Sequence, residues 1–517
     1  MKLRRMKTLA LLLSILAALA AGCTTQTPNT TMATATTGNT TAQTATSTTS
    51  AAIASEISVK YTETDTDDAW NQDDAKAVIT LGGSSISVTG TGATANGTAL
   101  TITAGGLYVL SGQLTNGQIL INAPSTDTVQ LVLNGVDITS NTSAAIYAKQ
   151  AKKLILILAD GTQNTVTDAT SYTYDDTTAQ EPDAAIFAKA DLTVSGNGSL
   201  TVHGNFNNGI GSKDDLVIVS GTLDITAAND AIRGRDSVTV LGGTLTLNAG
   251  GDGIHSNNTT DSDKGWVSLE NGTFHITAKL DGVQAETVVS IQDGEYEINA
   301  GGGSTAASTA EGDSIKGIKA GTGITISGGT FTIDSADDAI HTNGNIAING
   351  GKFTLASGDD GIHADADMTV SNGTILITTC YEGMESTTMT ISGGDITMTT
   401  TDDGINLAGG NDDQEQGQFG RDQFAVDSSA WLLISGGTIT VNGGRDAIDS
   451  NGSAEMTGGT VSLTAAMLNE GDTIDVNGTW TKTGGDLTES GGNGGMGGQG
   501  GRGGNRPGGS GGQGSGS

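Results

Sequence analysis

Three observations in the sequence predict an all-β protein built as a parallel β-helix with about 22 residues per coil. An acidic residue followed by Ala or Gly and then an aliphatic residue recurs at regular spacing, as at Ile232 and Ile254, and Ile210 lies one period earlier. The segments between these elements alternate β-branched and polar residues with a period of two. No long apolar stripe with the 3.6-residue period of a helix follows the first 23 residues.

Each period contains the same parts in the same order. The acidic element is followed by a short alternating strand, a Gly pair such as Gly328-Gly329, and a second alternating strand such as residues 330–333. Such a period fits one coil with two or three short strands, and coils stack about 4.8 Å apart. The longer gaps contain insertions at 257–264, 301–311 and 409–428. Residues 78–158 alternate less regularly, so we expect them to form the first coils and a cap.

The N-terminal segment predicts export and lipid anchoring. Cationic residues are followed by an apolar run at 9–21, which is too short to span a bilayer as a helix. Leu19-Ala20-Ala21-Gly22-Cys23 resembles the lipobox of bacterial lipoproteins, in which the Cys is lipidated and becomes the N-terminus. We therefore expect residues 1–23 to be a signal peptide with its lipobox, and the protein to be extracytoplasmic and membrane-anchored. Ordinary secretion with an incidental Cys is the alternative.

Composition predicts three further segments. Residues 24–55 are rich in Thr and Ser with few large apolar side chains, which favours a disordered tether. Residues 56–484 carry the β-helix, and residues 485–517 form a Gly-rich tail that we expect to be disordered. With Cys23 acylated no intrachain disulfide can form, so we expect Cys380 to be a small buried apolar residue.

The charge balance restricts the class of partner. The chain has 23 Lys and Arg against 57 Asp and Glu, a formal net charge of −34 at pH 7. Nucleic acid is excluded as a partner because phosphate binding needs basic surface. An acidic polysaccharide would also be repelled unless divalent cations bridge the two partners.

The repeated acidic residues predict a column of carboxylates, because residues one period apart lie above one another in a stack. Carboxylates about 5 Å apart repel each other by roughly 1 kcal/mol or more. Hard oxygen ligands at this spacing suit Ca²⁺, so we expect calcium in the column. The candidate ligands, including the doubled acids, are Asp230, Asp252, Asp281, Asp337, Asp338, Asp359, Asp360, Glu382, Asp402, Asp403 and Asp446. Alternatively, these acids cap turns by accepting backbone N–H bonds.

The position after each aliphatic residue forms a second column, which we expect to be a solvent-facing ladder of polar side chains. It includes His341 and His363, one period apart. Two stacked His could bind a transition metal, but the spacing supplies no third nitrogen or thiolate ligand, so the polar ladder is favoured.

Several short segments together resemble a known family. They are 144–147, 184–187, 209–216 and 230–238, with 132–138 and 158–162 adding to the likeness. The chain resembles calcium-binding, right-handed β-helix carbohydrate-binding lipoproteins, which are similar to pectate lyases in fold and bind cellulose and polygalacturonate. The resemblance implies a right-handed, pectate-lyase-like β-helix, bound calcium and a polysaccharide partner, and it assigns no glycan-binding residue in this chain.

A binding protein without catalytic residues is the function that we predict. Aromatic residues make up only 3% of the chain. The Trp residues that we expect to be exposed are scattered: Trp70, Trp266, Trp431 and Trp480. A long stacking platform for crystalline cellulose is therefore disfavoured, and calcium-bridged contact with a uronate polymer such as polygalacturonate is favoured.

Two alternatives to a binding protein remain open. One is a pectate-lyase-like β-elimination, in which Ca²⁺ acidifies the proton beside the uronate carboxyl and an Arg or Lys removes it. The basic residues beside the acidic column that would serve are Arg233, Arg235, Lys316 and Lys319. The other alternative is a purely structural or adhesive surface rod.

Overall fold

The structure, a computed structural model, describes residues 61–174, 178, 180–306, 314–408, 426–466 and 471–491. The predicted signal peptide, Cys23 and the tether at 24–55 lie outside the described residues. The described chain is all-β, as predicted, with one short helix at Glu63–Thr66 and a 3-10 turn at Gln72–Asp74. Within these ranges no helix has the length and apolar character needed to cross a membrane.

The strands, in chain order, number 44. The first ten are β1 (Ala77–Gly83), β2 (Ile86–Gly90), β3 (Ala93–Asn96), β4 (Ala99–Ile102), β5 (Gly106–Leu114), β6 (Gln118–Asn122), β7 (Thr128–Thr139), β8 (Ile146–Gln150), β9 (Lys153–Leu158) and β10 (Gln163–Thr167). Next come β11 (Ala184–Ala188), β12 (Asp191–Gly196), β13 (Ser199–Gly204), β14 (Asn208–Ser212), β15 (Asp215–Ile218), β16 (Thr222–Ala227), β17 (Ile232–Gly234), β18 (Ser237–Val240), β19 (Thr244–Ala249), β20 (Ile254–Ser256), β21 (Trp266–Leu269) and β22 (Thr273–Ala278).

The strands continue with β23 (Val283–Ala285), β24 (Val288–Ile291), β25 (Glu295–Ala300), β26 (Ile318–Ala320), β27 (Gly323–Ile326), β28 (Thr330–Ser335), β29 (Ile340–Thr342), β30 (Asn345–Ile348), β31 (Lys352–Ser357), β32 (Ile362–Val370) and β33 (Thr374–Thr379). The last are β34 (Met384–Ile391), β35 (Asp395–Thr399), β36 (Ile405–Leu407), β37 (Trp431–Ile434), β38 (Thr438–Gly443), β39 (Ile448–Ser450), β40 (Ser453–Met456), β41 (Thr460–Ala465), β42 (Asp475–Val476), β43 (Trp480–Lys482) and β44 (Asp486–Gly491).

These strands form one large, mostly parallel sheet with three ladders. The first ladder contains β8, β11, β14, β17, β20, β23, β26, β29, the start of β32, the start of β34, β36, β39 and β42. The second ladder begins with β9, β12, β15 and β18, and the third with β10, β13, β16 and β19. Most strands therefore pair with the strand three positions later in the chain, and each sequence period contributes one strand to each ladder.

The register agrees with the predicted period. Ile210 pairs with Ile232, and Ile232 pairs with Ile254, so residues 22 apart in sequence are neighbours in the first ladder. The segment between the acidic element and the Gly pair contains two strands, one in the first ladder and one in the second. Three strands per period are found, at the upper end of the prediction.

Apolar side chains from all three ladders fill the interior. Alternate residues of the third-ladder strands point inward, as in β19, where Leu245 and Leu247 are fully buried. Four aromatic rings of this ladder stack on one another with centroids 4.6 to 4.7 Å apart: Phe274, Tyr296, Phe331 and Phe353. That distance matches the spacing of adjacent strands, so identical positions in successive periods pack face to face.

The two ends of the repeat differ from its middle. Near the N-terminus, β1 pairs with β2 and β3 pairs with β4 in antiparallel fashion, in the region predicted to form a cap. At the other end, β44 pairs in parallel with β41, so the paired strands extend to Gly491 and not to the expected boundary at residue 484. The backbone bonds of this last strand depend on β41, and a Gly-rich sequence gave no local sign of it.

Candidate functional site

The predicted acidic column exists and is buried. Its carboxylates stand two residues before the aliphatic residue that starts each first-ladder strand. Asp230, Asp252, Asp281, Asp338, Asp360, Glu382, Asp403 and Asp446 all expose 9% or less of their surface. The doubled acids beside the column are more accessible: Asp337 and Asp402 are half-buried and Asp359 is exposed. A buried carboxylate needs a compensating partner, so the contacts of each oxygen decide what the column can do.

One oxygen of each column carboxylate binds the backbone of the next repeat. Oδ1 of Asp252 accepts the N–H of Asp281 at 2.9 Å, and Oδ1 of Asp403 accepts the N–H of Asp446 at 2.9 Å. Asn208, which begins the column, makes the same bond with its amide oxygen to the N–H of Asp230 at 3.2 Å. The turn-capping role that the sequence left open is therefore present along the column.

The second oxygen of the acids nearest the N-terminus contacts cationic side chains. Nδ1 of His255 lies 3.2 Å from Oδ2 of Asp230 and 3.1 Å from Oδ2 of Asp252. Burial opposes a charged imidazole, but the carboxylates of Asp230, Asp252 and Glu286 outweigh it and raise the pKa of His255 to about 11. Nζ of Lys319 lies 3.8 Å from Oδ2 of Asp281. These acids already have positive partners.

The middle of the column is also paired. Nζ of Lys316 lies 2.7 Å from Asp337 and 2.8 Å from Asp338, and Nδ1 of His341 lies 2.8 Å from the same oxygen of Asp338. Burial by itself would raise the pKa of Asp338, but Lys316, His341 and His363 hold it well below its usual range. A further cation at Asp338 would meet the Lys316 ammonium, so this part of the column does not fit a metal ion.

The C-terminal part of the column has an excess of negative charge. Carboxylate oxygens of Glu382, Asp402 and Asp403 lie within 4.8 Å of one another. Burial and the neighbouring acids raise the pKa of Glu382 to about 8 and that of Asp403 to about 6. Arg445 is half exposed, and its Nη1 lies 3.9 Å from Asp403. Hard oxygen donors with little compensating charge fit Ca²⁺, so these three acids pass the chemical test that the earlier ones fail.

The second column is not the solvent-facing ladder that the sequence predicted. His341, His363, Glu385 and Asn406 each expose 9% or less of their surface. The reason is that the second oxygen of each column acid bonds to them: Nδ2 of Asn406 donates to Oε2 of Glu382 at 2.6 Å. The rings of His341 and His363 lie 4.8 Å apart, next to the carboxylate of Asp338 that also contacts Lys316.

The expectation of four exposed Trp residues was wrong. Trp266 starts a second-ladder strand and exposes only 6% of its surface. Trp70 and Trp480 are partly buried and pack against the core. Trp431 is exposed to 39%. Inward positions of short strands accept large apolar side chains, and sequence spacing alone did not identify those positions.

A basic cavity beside the first ladder was only partly foreseen. The cavity measures about 160 Å³ and is lined by Lys213, Arg233 and Arg235, with Asp183 as its carboxylate. The sequence singled out Arg233 and Arg235 but not Lys213 or Asp183. A signal was present, since Lys189, Lys213 and Arg235 each stand three residues after the aliphatic residue of their repeat. The acidic character of the whole chain obscured it.

Comparison with known proteins places these features in a family. A family model described as carbohydrate-binding domain-containing protein matches residues 96–361, more than half of the chain. A protein of Acetivibrio thermocellus with the same description is 39% identical over 126 residues, which are 24% of this chain and 44% of that protein. The matched segment thus spans less than half of the relative's length.

A solved structure is also similar. It is described as the polysaccharide lyase-like protein from C. thermocellum, in a gadolinium derivative. The two chains are 33% identical, and the alignment covers 53% of this chain and 96% of the other with a TM-score of 0.43.

Proposed function

This chain belongs to the family of carbohydrate-binding domain-containing proteins, and we propose that it binds an extracellular polysaccharide. The observation that carries the proposal is the family match itself, because it spans the repeats from β4 to β31. We propose uronate-containing pectic glycan, such as polygalacturonate, as the preferred ligand and cellulose as the second candidate. The small number of exposed aromatic side chains supports the acidic glycan over a crystalline surface, which needs an extended stacking platform.

The architecture that we propose for this surface is a right-handed, pectate-lyase-like parallel β-helix. The parallel pairing of residues one period apart and the three ladders support it. Such a stack repeats the same side-chain positions at the interstrand spacing of about 4.8 Å. A polymer of identical sugars is a suitable partner for a surface that repeats in this way.

Calcium is proposed as a structural ion of the C-terminal repeats. Glu382, Asp402 and Asp403 would hold it, with Asp360 and Asp446 as neighbours on the same column. When bound, the ion would supply positive charge to carboxylates whose burial and mutual repulsion raise their pKa. The candidates Asp230, Asp252, Asp281 and Asp338 are less suited, because His255, Lys319 and Lys316 already contact them.

We propose binding without turnover, on the state of the basic side chains. A lyase would need an Arg or Lys that can accept a proton. Lys316 contacts two carboxylates, and although burial opposes its charge, Asp338 and Asp337 raise its pKa further above the usual range. Lys319 donates to Oγ of Ser314 at 2.8 Å and faces Asp281. These contacts favour the protonated form and therefore a binding role.

The proposed location is the outer side of a bacterial membrane, with the mature chain anchored by lipid on Cys23. The residues that carry this proposal lie outside the described structure, and it rests on the lipobox and the apolar run at 9–21.

The experiment is a sedimentation and affinity-electrophoresis screen of the mature chain against polygalacturonate, microcrystalline cellulose and a neutral soluble glycan. We expect retention by polygalacturonate and no rise in the ultraviolet absorbance of unsaturated product on long incubation. Absence of retention by every glycan would refute the binding function. A steady rise in absorbance would replace it with lyase activity.

A further inference from the structure

A recess beside the first ladder, here called the basic notch, carries positive charge in a strongly acidic protein. The notch is the cavity of about 160 Å³ lined by Phe187, Gly211, Lys213, Arg233, Arg235 and Asn257, with Asp183 at its edge. Three cations and one carboxylate therefore line it, although acids outnumber bases 57 to 23 over the chain. The local charge is opposite in sign to that of the whole molecule.

The cations of the notch are arranged by the ladder. The N–H of Lys189 donates to Ala148, the N–H of Lys213 to Ala188, and the N–H of Arg235 to Ser212. Lys189, Lys213 and Arg235 thus stand on three successive repeats, each following its first-ladder strand. Adjacent repeats lie about 4.8 Å apart, so the side chains form a row of evenly spaced positive groups.

A glycine provides the space in this surface. Gly211 pairs with Phe187 on one side and Arg233 on the other, at a position where neighbouring repeats carry large side chains. A Cβ at Gly211 would lie 3.3 Å from the ring of Phe187. The missing side chain leaves a cavity comparable to one that holds a single six-membered ring, since a protein cavity of about 150 Å³ accepts benzene.

The cations are only partly neutralised. Glu181 contacts both Lys189 at 2.8 Å and Lys213 at 2.5 Å. Nη1 of Arg233 lies 3.5 Å from Asp183, and Nη1 of Arg235 lies 3.6 Å from Asp236, whose other oxygen binds Lys264 at 2.6 Å. The side chains of Lys213 and Arg235 remain 42% and 40% exposed. Their outer N–H groups can therefore reach a ligand from solvent.

We infer that the basic notch is a subsite for one uronate residue of the glycan, bound directly by side chains and without a bridging metal ion. This inference rests on the proposed polysaccharide-binding function. The planar guanidinium groups of Arg233 and Arg235 match the two oxygens of a carboxylate, and Lys213 adds a third donor. Asn257 offers an amide to ring hydroxyl groups, and Phe187 forms an apolar wall beside the sugar ring. The stacked row extends the positive surface toward the carboxylate of the next sugar.

The test measures binding of an oligogalacturonate by calorimetry, in excess chelator, at a temperature where circular dichroism reports a folded chain. Arg235→Gln removes one donor, and Gly211→Gln fills the notch while leaving every charge in place. Lys352→Gln is the matched control, because it removes one exposed cation from the third ladder, away from the notch. We expect each notch variant to weaken binding about tenfold or more, as loss of a charged hydrogen bond does, and the control to match wild type.

Three outcomes would overturn the inference. Equal affinity of wild type and Gly211→Gln would place the uronate elsewhere. Loss of wild-type binding in chelator, with the fold intact, would replace direct recognition with calcium bridging. An equal effect of the variants on a sulfated oligosaccharide would show selection for charge and not for uronate. In each case retention of some glycan by wild type preserves the proposed function, whereas no binding to any glycan would remove both.

Discussion

The Nζ atom of Lys316 lies 2.8 Å from Oδ2 of Asp338, which occupies the same column position one repeat later. The same ammonium is 2.7 Å from Asp337. Lys316 stands at a position where Asp281 and Asp338, its neighbours in the column, are acids, so the ion pair replaces a repulsion between stacked carboxylates. The side chains of Lys316 and Asp338 are only 13% and 2% exposed, which makes the pair a buried one.

Removal of Lys316 should therefore destabilise the chain strongly. Lys316→Met leaves Asp338 buried without its closest cation, and loss of one partner of a buried pair costs about 3 to 5 kcal/mol. Chemical denaturation should report this loss, and the double variant Lys316→Met/Asp338→Asn should recover much of it. Lys352→Met is the exposed control. A loss of less than about 0.5 kcal/mol, as for a surface charge, would mean that the pair is not important for stability.

The backbone bonds of the column lead to a second prediction. Asn208 is fully buried, and its Oδ1 accepts the N–H of Asp230. Asn208→Ala should lower the free energy of unfolding by about 1 to 3 kcal/mol, because a buried amide loses its acceptor. Asn208→Asp keeps the acceptor and serves as the comparison. If alanine and aspartate variants unfold at the same denaturant concentration, the side-chain bond contributes nothing.

The contacts of His255 predict a loss of stability at alkaline pH. Its pKa in the folded chain is raised to about 11, above the value of about 6.5 in an unfolded chain. The folded state then holds more protons, so this contribution is complete below about pH 6.5 and is lost as pH rises toward 11. Between pH 7 and 9 the free energy of unfolding of wild type should fall by about 1 kcal/mol per pH unit more than that of His255→Gln. Parallel pH profiles of the two proteins would contradict this.

Calcium should stabilise the protein through the C-terminal acids. At a hundredfold excess over Kd, an ion that binds the native state alone adds about 2.7 kcal/mol. Chelation should lower Tm accordingly. Asp360→Asn with Asp403→Asn keeps the oxygens that accept the N–H groups of Glu382 and Asp446 but removes two charges. We expect this variant to show no calcium-dependent shift in Tm, and an unchanged shift would place the ion elsewhere.

The same acids predict how pH acts on the calcium-free chain. The pKa of Glu382 is raised to about 8 and that of Asp403 to about 6, with burial as the main cause. Carboxyls of raised pKa favour the folded state most when protonated, so stability should rise as pH falls from 8 toward 4. Calcium should flatten this dependence, because it neutralises the same oxygens. Thermal melts at several pH values, with chelator and with calcium, would measure both effects.

Lipid attachment is predicted at Cys23 alone. Incorporation of radiolabelled fatty acid in a bacterial host should occur in wild type and in Cys380→Ser and be absent from Cys23→Ser. Cys380 is a suitable control because it is buried, and burial raises the pKa of its thiol to about 12. Label in the Cys23→Ser variant would rule out the lipobox.

Much of the fold followed from the period of the sequence. The 22-residue spacing from Ile210 through Ile232 to Ile254 placed these residues side by side in a parallel ladder, because a side-chain pattern of period two must keep its apolar face inward in every repeat. The column containing Asp252 and Asp403 followed from the same spacing.

The contacts of the acids were decided by the tertiary structure. Sequence spacing shows that Asp338 and Glu382 share a column, but only the packing shows that Lys316 contacts the first, whereas the pKa of the second is raised by burial and other acids. In the same way, Lys213 and Arg233 belong to different columns in the sequence and meet only because Gly211 leaves room between them. A repeat fixes which residues stack along one column. Which atoms meet across neighbouring columns depends on side-chain rotamers and on the corners of each repeat, and these are set by the folded chain as a whole.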